Sequence, residues 1–96
     1  MNKKEEIIKQ IKELSDKIDC WSIFLGKKSL ADYIMGYYFN SETGNYEVYI
    51  NQERGRHSIY LSTPNEIEAL EELLSIVSFY AEIYHDVEEM RRKTNE

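Results

Sequence analysis

The sequence predicts an α+β fold of one domain over its 96 residues: an α-β-β-β-α two-layer sandwich, with a three-stranded antiparallel meander covered on one face by an N-terminal and a long C-terminal helix. Three observations carry this. Between Tyr33 and Ser62, three aromatic and β-branched runs (YIMGYYF, YEVYI and HSIYL) are separated by SETGN and NQERGR, whose Gly, Asn and Ser residues favour turns. The segment before this stretch repeats apolar residues at helical spacing, and the segment after it does so for longer. A content of 42% hydrophobic and 31% charged residues is enough apolar surface for one core and too much for a disordered tail.

The first helix is expected from about Lys3 to Ile18. Ile7, Ile11, Leu14 and Ile18 form its apolar stripe, Ile8 widens it, and Glu5 with Lys9 and Glu13 with Lys17 are favourable i,i+4 pairs on the wet face. Asp19 to Ala31 (DCWSIFLGKKSLA) admits either an extra strand with Trp21, Ile23 and Leu25 on one face, or a helical continuation that stops at Gly26. We take it as an irregular or short strand segment, with Cys20 a small core filler and Trp21 a core anchor; a partly exposed Trp21 would be a binding candidate.

In the meander, alternation puts Val48 and Ile50 inward with Ile59 and Leu61 as their opposites, and turns Glu47, Tyr49, Ser58 and Tyr60 outward. The first strand has large groups on both faces, and we place the set containing Met35 and Phe39 inward. Tyr38, Tyr49 and Tyr60 then form a tyrosine stripe across an open outer face. The stripe is conditional on register, because a bulge at Gly44 or Gly55 would exchange a strand's faces.

Thr63-Pro64-Asn65-Glu66 carries the strongest start signal: an N-cap hydroxyl, a proline at the first helical position and a Glu that reaches back to the cap, so the second helix is expected from Pro64. Its inner stripe is Ile67, Leu70, Leu74, Val77, Ala81 and Tyr84, broadened by Leu73, Ile76, Tyr80, Ile83 and Val87, and Arg91, Arg92 and Lys93 suit its C-terminus. Such a helix is about 40 Å long, whereas a seven-residue strand spans about 24 Å. The final turns must overhang the sheet, and their apolar residues need cover from the first helix, a second copy or another partner.

The net charge of −6 is unevenly spread. From His57 to Met90 there is no Lys or Arg, against Glu66, Glu68, Glu71, Glu72, Glu82, Asp86, Glu88 and Glu89. This field repels nucleic acid and attracts basic proteins. The lone cysteine, the charged start MNKKEEIIKQ and the lack of a membrane-length apolar run lead us to expect a cytoplasmic protein with no membrane association.

No catalytic constellation is legible, and neither enzyme activity, a cofactor nor a metal is expected. Glu82 and Glu89 flank His85 with a metal-ligand spacing, but di-iron bundles need two such motifs and two further carboxylates, so a salt-bridged surface histidine is the better reading. Gly26-Lys27-Lys28-Ser29 resembles the end of a phosphate-binding loop, but Trp21 stands where that loop needs its first glycine. What remains is surface chemistry. Eight tyrosines in a chain this short suit an interface, and the candidate partner-binding residues are Tyr38, Tyr49 and Tyr60 on the outer face and Glu68, Glu71, Glu72 and Glu82 on the helix.

The order of Tyr46-Glu47-Val48-Tyr49, Glu53-Arg54-Gly55 in a tight turn, a short strand, and a capped acidic helix with Glu66, Ala69 and Leu70 resembles small immunity proteins of bacterial polymorphic-toxin systems of the contact-dependent inhibition type. The similarity covers about Asp32 to Val77. The resemblance implies a cytoplasmic inhibitor that binds a cognate toxin, often a basic nuclease, and blocks its active site or substrate path; it assigns no individual contact residue. Two other roles are weighed beside it: a phage-encoded inhibitor of a host nuclease defence, such as an anti-CRISPR or other anti-defence protein, and a homodimer packed through the overhanging C-terminal helix.

Overall fold

A computed structural model describes residues 2–18 and 21–94, with side chains described as far as His85. The core role expected of Cys20, and those expected of the Val87, Arg91, Arg92 and Lys93 side chains, lie outside the described residues. The elements are α1 (Lys3–Ser15), β1 (Ser22–Leu25), β2 (Ile34–Asn40), β3 (Asn45–Asn51), β4 (His57–Thr63) and α2 (Glu66–Thr94). The α+β class, the antiparallel β2-β3-β4 meander and the two helices agree with the sequence reading, but the sheet has four strands in the order β1-β2-β3-β4.

The added strand, β1, comes from the ambiguous segment, and it pairs parallel to β2, with Ser22 opposite Ile34 and Leu25 opposite Tyr37. Parallel neighbours need a crossover, and residues 26–33 supply it by running back across the face of the sheet that carries no helix. Gly36 lets β1 close in. A Cβ there would lie 2.4 Å from the Phe24 carbonyl oxygen and 3.1 Å from the Tyr49 hydroxyl. The crossover ends at Tyr33, which adopts φ 60° and sets its ring edge-on to Trp21 at 5.6 Å.

The helical layer forms because both helices have one apolar stripe. Ile7 and Ile11 of α1, and Ala69, Leu70, Leu73 and Val77 of α2, are buried against Met35, Tyr37, Val48 and Ile50 of the sheet. α1 ends three residues earlier than expected, although Ile18 is fully buried just beyond it. Lys4 ties the layers together: it meets Glu66 at 3.1 Å, and Glu66 accepts the Tyr37 hydroxyl at 3.0 Å.

Two local readings need correction. α2 begins at Glu66, not Pro64: the Asn65 side-chain oxygen caps the N–H groups of Ile67 (2.9 Å) and Glu68 (3.4 Å). Thr63 instead accepts the Asn65 N–H at 3.2 Å and donates to Glu68 at 2.7 Å. The second correction is a register shift where Tyr49 pairs with Ile59 but Val48 pairs with Leu61, leaving Tyr60 as the bulged residue. Leu61 keeps its inward place, while Ile59 joins the outer face with Tyr49 and is 43% exposed. In β2, Met35 is fully buried as expected; Phe39 shares its side of the strand but lies near the end of the sheet and is 52% exposed.

Candidate functional site

The tyrosine stripe does not exist as an open surface. Tyr49 is fully buried. Its ring lies on the helix-free side beside Gly36, its cross-strand partner, and its hydroxyl donates to the Lys27 carbonyl at 2.7 Å and accepts the Ser29 N–H at 3.1 Å. Asn51, 2% exposed, donates to the Ser29 and Ala31 carbonyls at 2.6 and 2.9 Å. Asp32 accepts the N–H groups of Arg54 (3.4 Å) and Gly55 (3.3 Å) in the turn before β4. The crossover is thus held along its length, and it covers the centre of the face that the sequence leaves open. Because Asn51 spends its amide nitrogen on two carbonyls, its oxygen faces His57, so Nδ1 of that ring carries the proton.

Tyr38 is half-buried beside this cover, in edge-on contact with Tyr49 at 5.7 Å. It donates to the Glu47 carboxylate, and the Lys28 ammonium sits 5.3 Å from its ring centre. Burial, then the hydrogen bond and charge of Glu47, push its phenol up to about 12. Burial, then Glu66, raise Tyr37; burial raises Tyr49, against a lowering by the Ser29 N–H. A phenol raised in the folded state is neutral there when its unfolded counterpart ionises, so its stabilising contribution is whole below the ordinary value near 10 and is lost as pH rises through that value toward the folded one. We expect an ultraviolet titration in which Tyr37, Tyr38 and Tyr49 ionise above the ordinary value, with the denaturation midpoint falling above pH of about 10. Ionisation of all tyrosines in a single step near the ordinary value would contradict the arrangement. Tyr60 stands apart at the bulge, 49% exposed.

The four candidate acids fare differently. Glu68 takes the Thr63 hydroxyl, and Glu71 pairs with Lys3 at 2.9 Å, so α1 offsets part of the acidic field. Glu72 is half-buried and Glu82 exposed. At about 100° per residue, Glu72, Ile76, Phe79 and Ile83 (i, i+4, i+7, i+11) form one strip along α2, with Glu68 in line at its start. Phe79 is 59% and Ile83 40% exposed.

Phe79 also begins a chain of rings: it meets Tyr80 at 5.9 Å, Tyr80 meets Trp21 at 5.4 Å, and Trp21 meets Tyr33. Trp21 is half-buried, so both of its sequence-level readings apply, packed on one side and reachable on the other. Phe79 escapes the sequence reading because it lies off the inner stripe; the signal for it is a second apolar row at helical spacing, starting from an acid.

Among the described residues, chemical groups do not converge elsewhere. A shallow groove between the end of α1 and β1 is lined by Ile11, Lys12, Ser15, Asp16, Trp21, Ile23 and Leu25. Among the described residues, no group of three or more His, Cys, Asp or Glu side chains is placed to hold a metal, and no helix is long and apolar enough to cross a membrane. The Glu89 side chain of the spacing around His85 lies outside the described residues. Comparison with protein-family models, with curated proteins and with solved structures finds no match for this chain.

Proposed function

We propose that this chain is an inhibitory protein-binding module of the immunity type, which binds and neutralises a basic, nuclease-like bacterial toxin through the outer strip of α2. The observation that supports this is the exposure of Phe79 and Ile83 on a strip with Glu68, Glu72 and Glu82 around it, in a stretch from His57 to Met90 that contains no Lys or Arg. Interfaces draw most of their affinity from a few buried aromatic anchors and much of their association rate from complementary charge. An apolar centre with an acidic border fits a partner whose patch is apolar with a cationic border, including arginines that stack on Phe79 or Tyr80.

The test is co-purification with the product of the adjacent open reading frame, together with protection of cells that express it. We expect a complex whose association slows with added salt, a loss of about 2 kcal/mol in Phe79→Ala, and an association rate about tenfold slower in Glu72→Lys/Glu82→Lys. Absence of both complex and protection would sink the proposal. A phage gene neighbourhood, with inhibition of a host nuclease, would move the target from a toxin to a defence enzyme.

A further inference from the structure

We propose that β4 is the seam of a homodimer, in which β4 of one copy pairs antiparallel with β4 of a second and joins two four-stranded sheets into one. β4 is the last strand in the sheet order, so among the described residues its outer edge carries no strand. It is seven residues long, and the first four, His57 to Tyr60, are exposed.

Soluble proteins guard such edges with Lys, Pro, shortness, cover or a bulge, and of these β4 has only the bulge at Tyr60. His57–Thr63 contains no Lys, Arg, Asp, Glu or Pro. The opposite edge is guarded: β1 has only four residues, and Ile11, Lys12 and Asp16 of α1 and its end stand across the groove from Ile23 and Leu25.

The charges on either side of β4 select the occupant. Arg54 and Arg56 precede the strand, and Glu66 and Glu68 follow it. Antiparallel pairing about Tyr60 sets Ser58 against Ser62 of the second copy, stops short of the buried Thr63, and carries each arginine end toward the other copy's glutamate end. The seam itself is uncharged in a chain of net charge −6, so it sets no like charges against each other. The exposed strip of α2 lacks this property, because Glu72 and Glu82 border Phe79 and a two-fold contact would set acid against acid. The bulge at Tyr60 divides β4 into two short regular runs, so the dimer is one that forms with concentration, and it leaves the α2 strip free.

Light scattering of the full chain, from low micromolar to submillimolar concentration, should show the mass doubling. Ile59→Lys and Tyr60→Lys place a cation on the edge at exposed positions and should each weaken dimerisation about tenfold or more. Arg54→Glu/Arg56→Glu sets acids against Glu66 and Glu68 and should weaken it most at low salt. Phe79→Ser should leave it unchanged. Amide exchange in the unsubstituted protein should slow across 58–62 as concentration rises, a readout independent of how any variant folds. A monomer at every concentration overturns the proposal; so does a dimer indifferent to both lysine variants, or one abolished by Phe79→Ser, which would place the seam on α2.

Discussion

Replacing Gly36 with alanine is expected to lower the unfolding free energy by about 3 kcal/mol, the upper range for forcing an extra methyl group into a filled site. The added Cβ would stand 2.4 Å from the Phe24 carbonyl oxygen and 3.1 Å from the Tyr49 hydroxyl. The first contact is the decisive one, because a backbone carbonyl in a strand cannot turn aside as the end of a side chain can. Relief therefore requires β1 to move away from β2. Trp21, one residue before β1 and the only tryptophan in the chain, would lose part of its packing against Tyr33 and Tyr80, so its fluorescence should redden before global unfolding.

Chemical denaturation of Gly36→Ala measures the stability loss, and Gly36→Ala/Tyr49→Phe apportions it. Removing the Tyr49 hydroxyl clears the second contact but not the first, so the double variant should recover little. Stability within about 0.5 kcal/mol of the unsubstituted protein would show that β1 has slack, and substantial rescue by Tyr49→Phe would show that the side chain was the obstacle.

The meander and both helices are legible because their signals are periodic and local: alternation in YEVYI and HSIYL, and repeated three- and four-residue spacing in α1 and α2. The features that decide which surface is open are not local. β1 has four residues and finds its partner in parallel across a crossover, which no short window encodes. The cover over Tyr49 depends on Asn51 meeting two carbonyls some twenty positions earlier, and Asn51 in the sequence is only a polar residue at a strand end. The α2 start falls two residues later than expected because Thr63-x-x-Glu66 and Asn65-x-x-Glu68 both fit a capping pattern; it is Asn65 that caps, while the Thr63 hydroxyl donates to Glu68. The flip of Ile59 follows from a bulge at Tyr60, where no glycine marks it. The length of α2, 29 residues against seven in each of β2, β3 and β4, is legible from its uninterrupted periodicity, but the exposed anchor of the candidate surface is Phe79, which is not a residue of the inner stripe.

Replacing Asn51 with alanine should cost about 3 kcal/mol, from three hydrogen bonds at roughly 1 kcal/mol each in a buried setting. Two are its donations to the Ser29 and Ala31 carbonyls, and the third is the bond accepted from His57. His57→Ala removes only the last of these bonds, together with the ring stacked on Tyr49 at 5.4 Å, and should cost about 2 kcal/mol. Asn51→Asp keeps the shape but replaces the donor with a charged oxygen against two carbonyls, so at neutral pH it should be no better than alanine. The loss should also be local before it is global. With Asn51 gone, the crossover keeps the Tyr49 hydroxyl at one end and Asp32 at the other, and its middle lifts. Amide exchange across 26–33 should then accelerate while the α2 core stays protected, and Tyr49 should ionise at lower pH in the ultraviolet titration, since burial is what raises it. A cost under about 1 kcal/mol, or unchanged exchange in 26–33, would show that the crossover does not depend on Asn51. If the expected pattern is found, one amide group separates the closed outer face from the open tyrosine face that strand alternation predicts, and a binding assay on Asn51→Ala reports whether Tyr38 and Tyr49 engage a partner once uncovered.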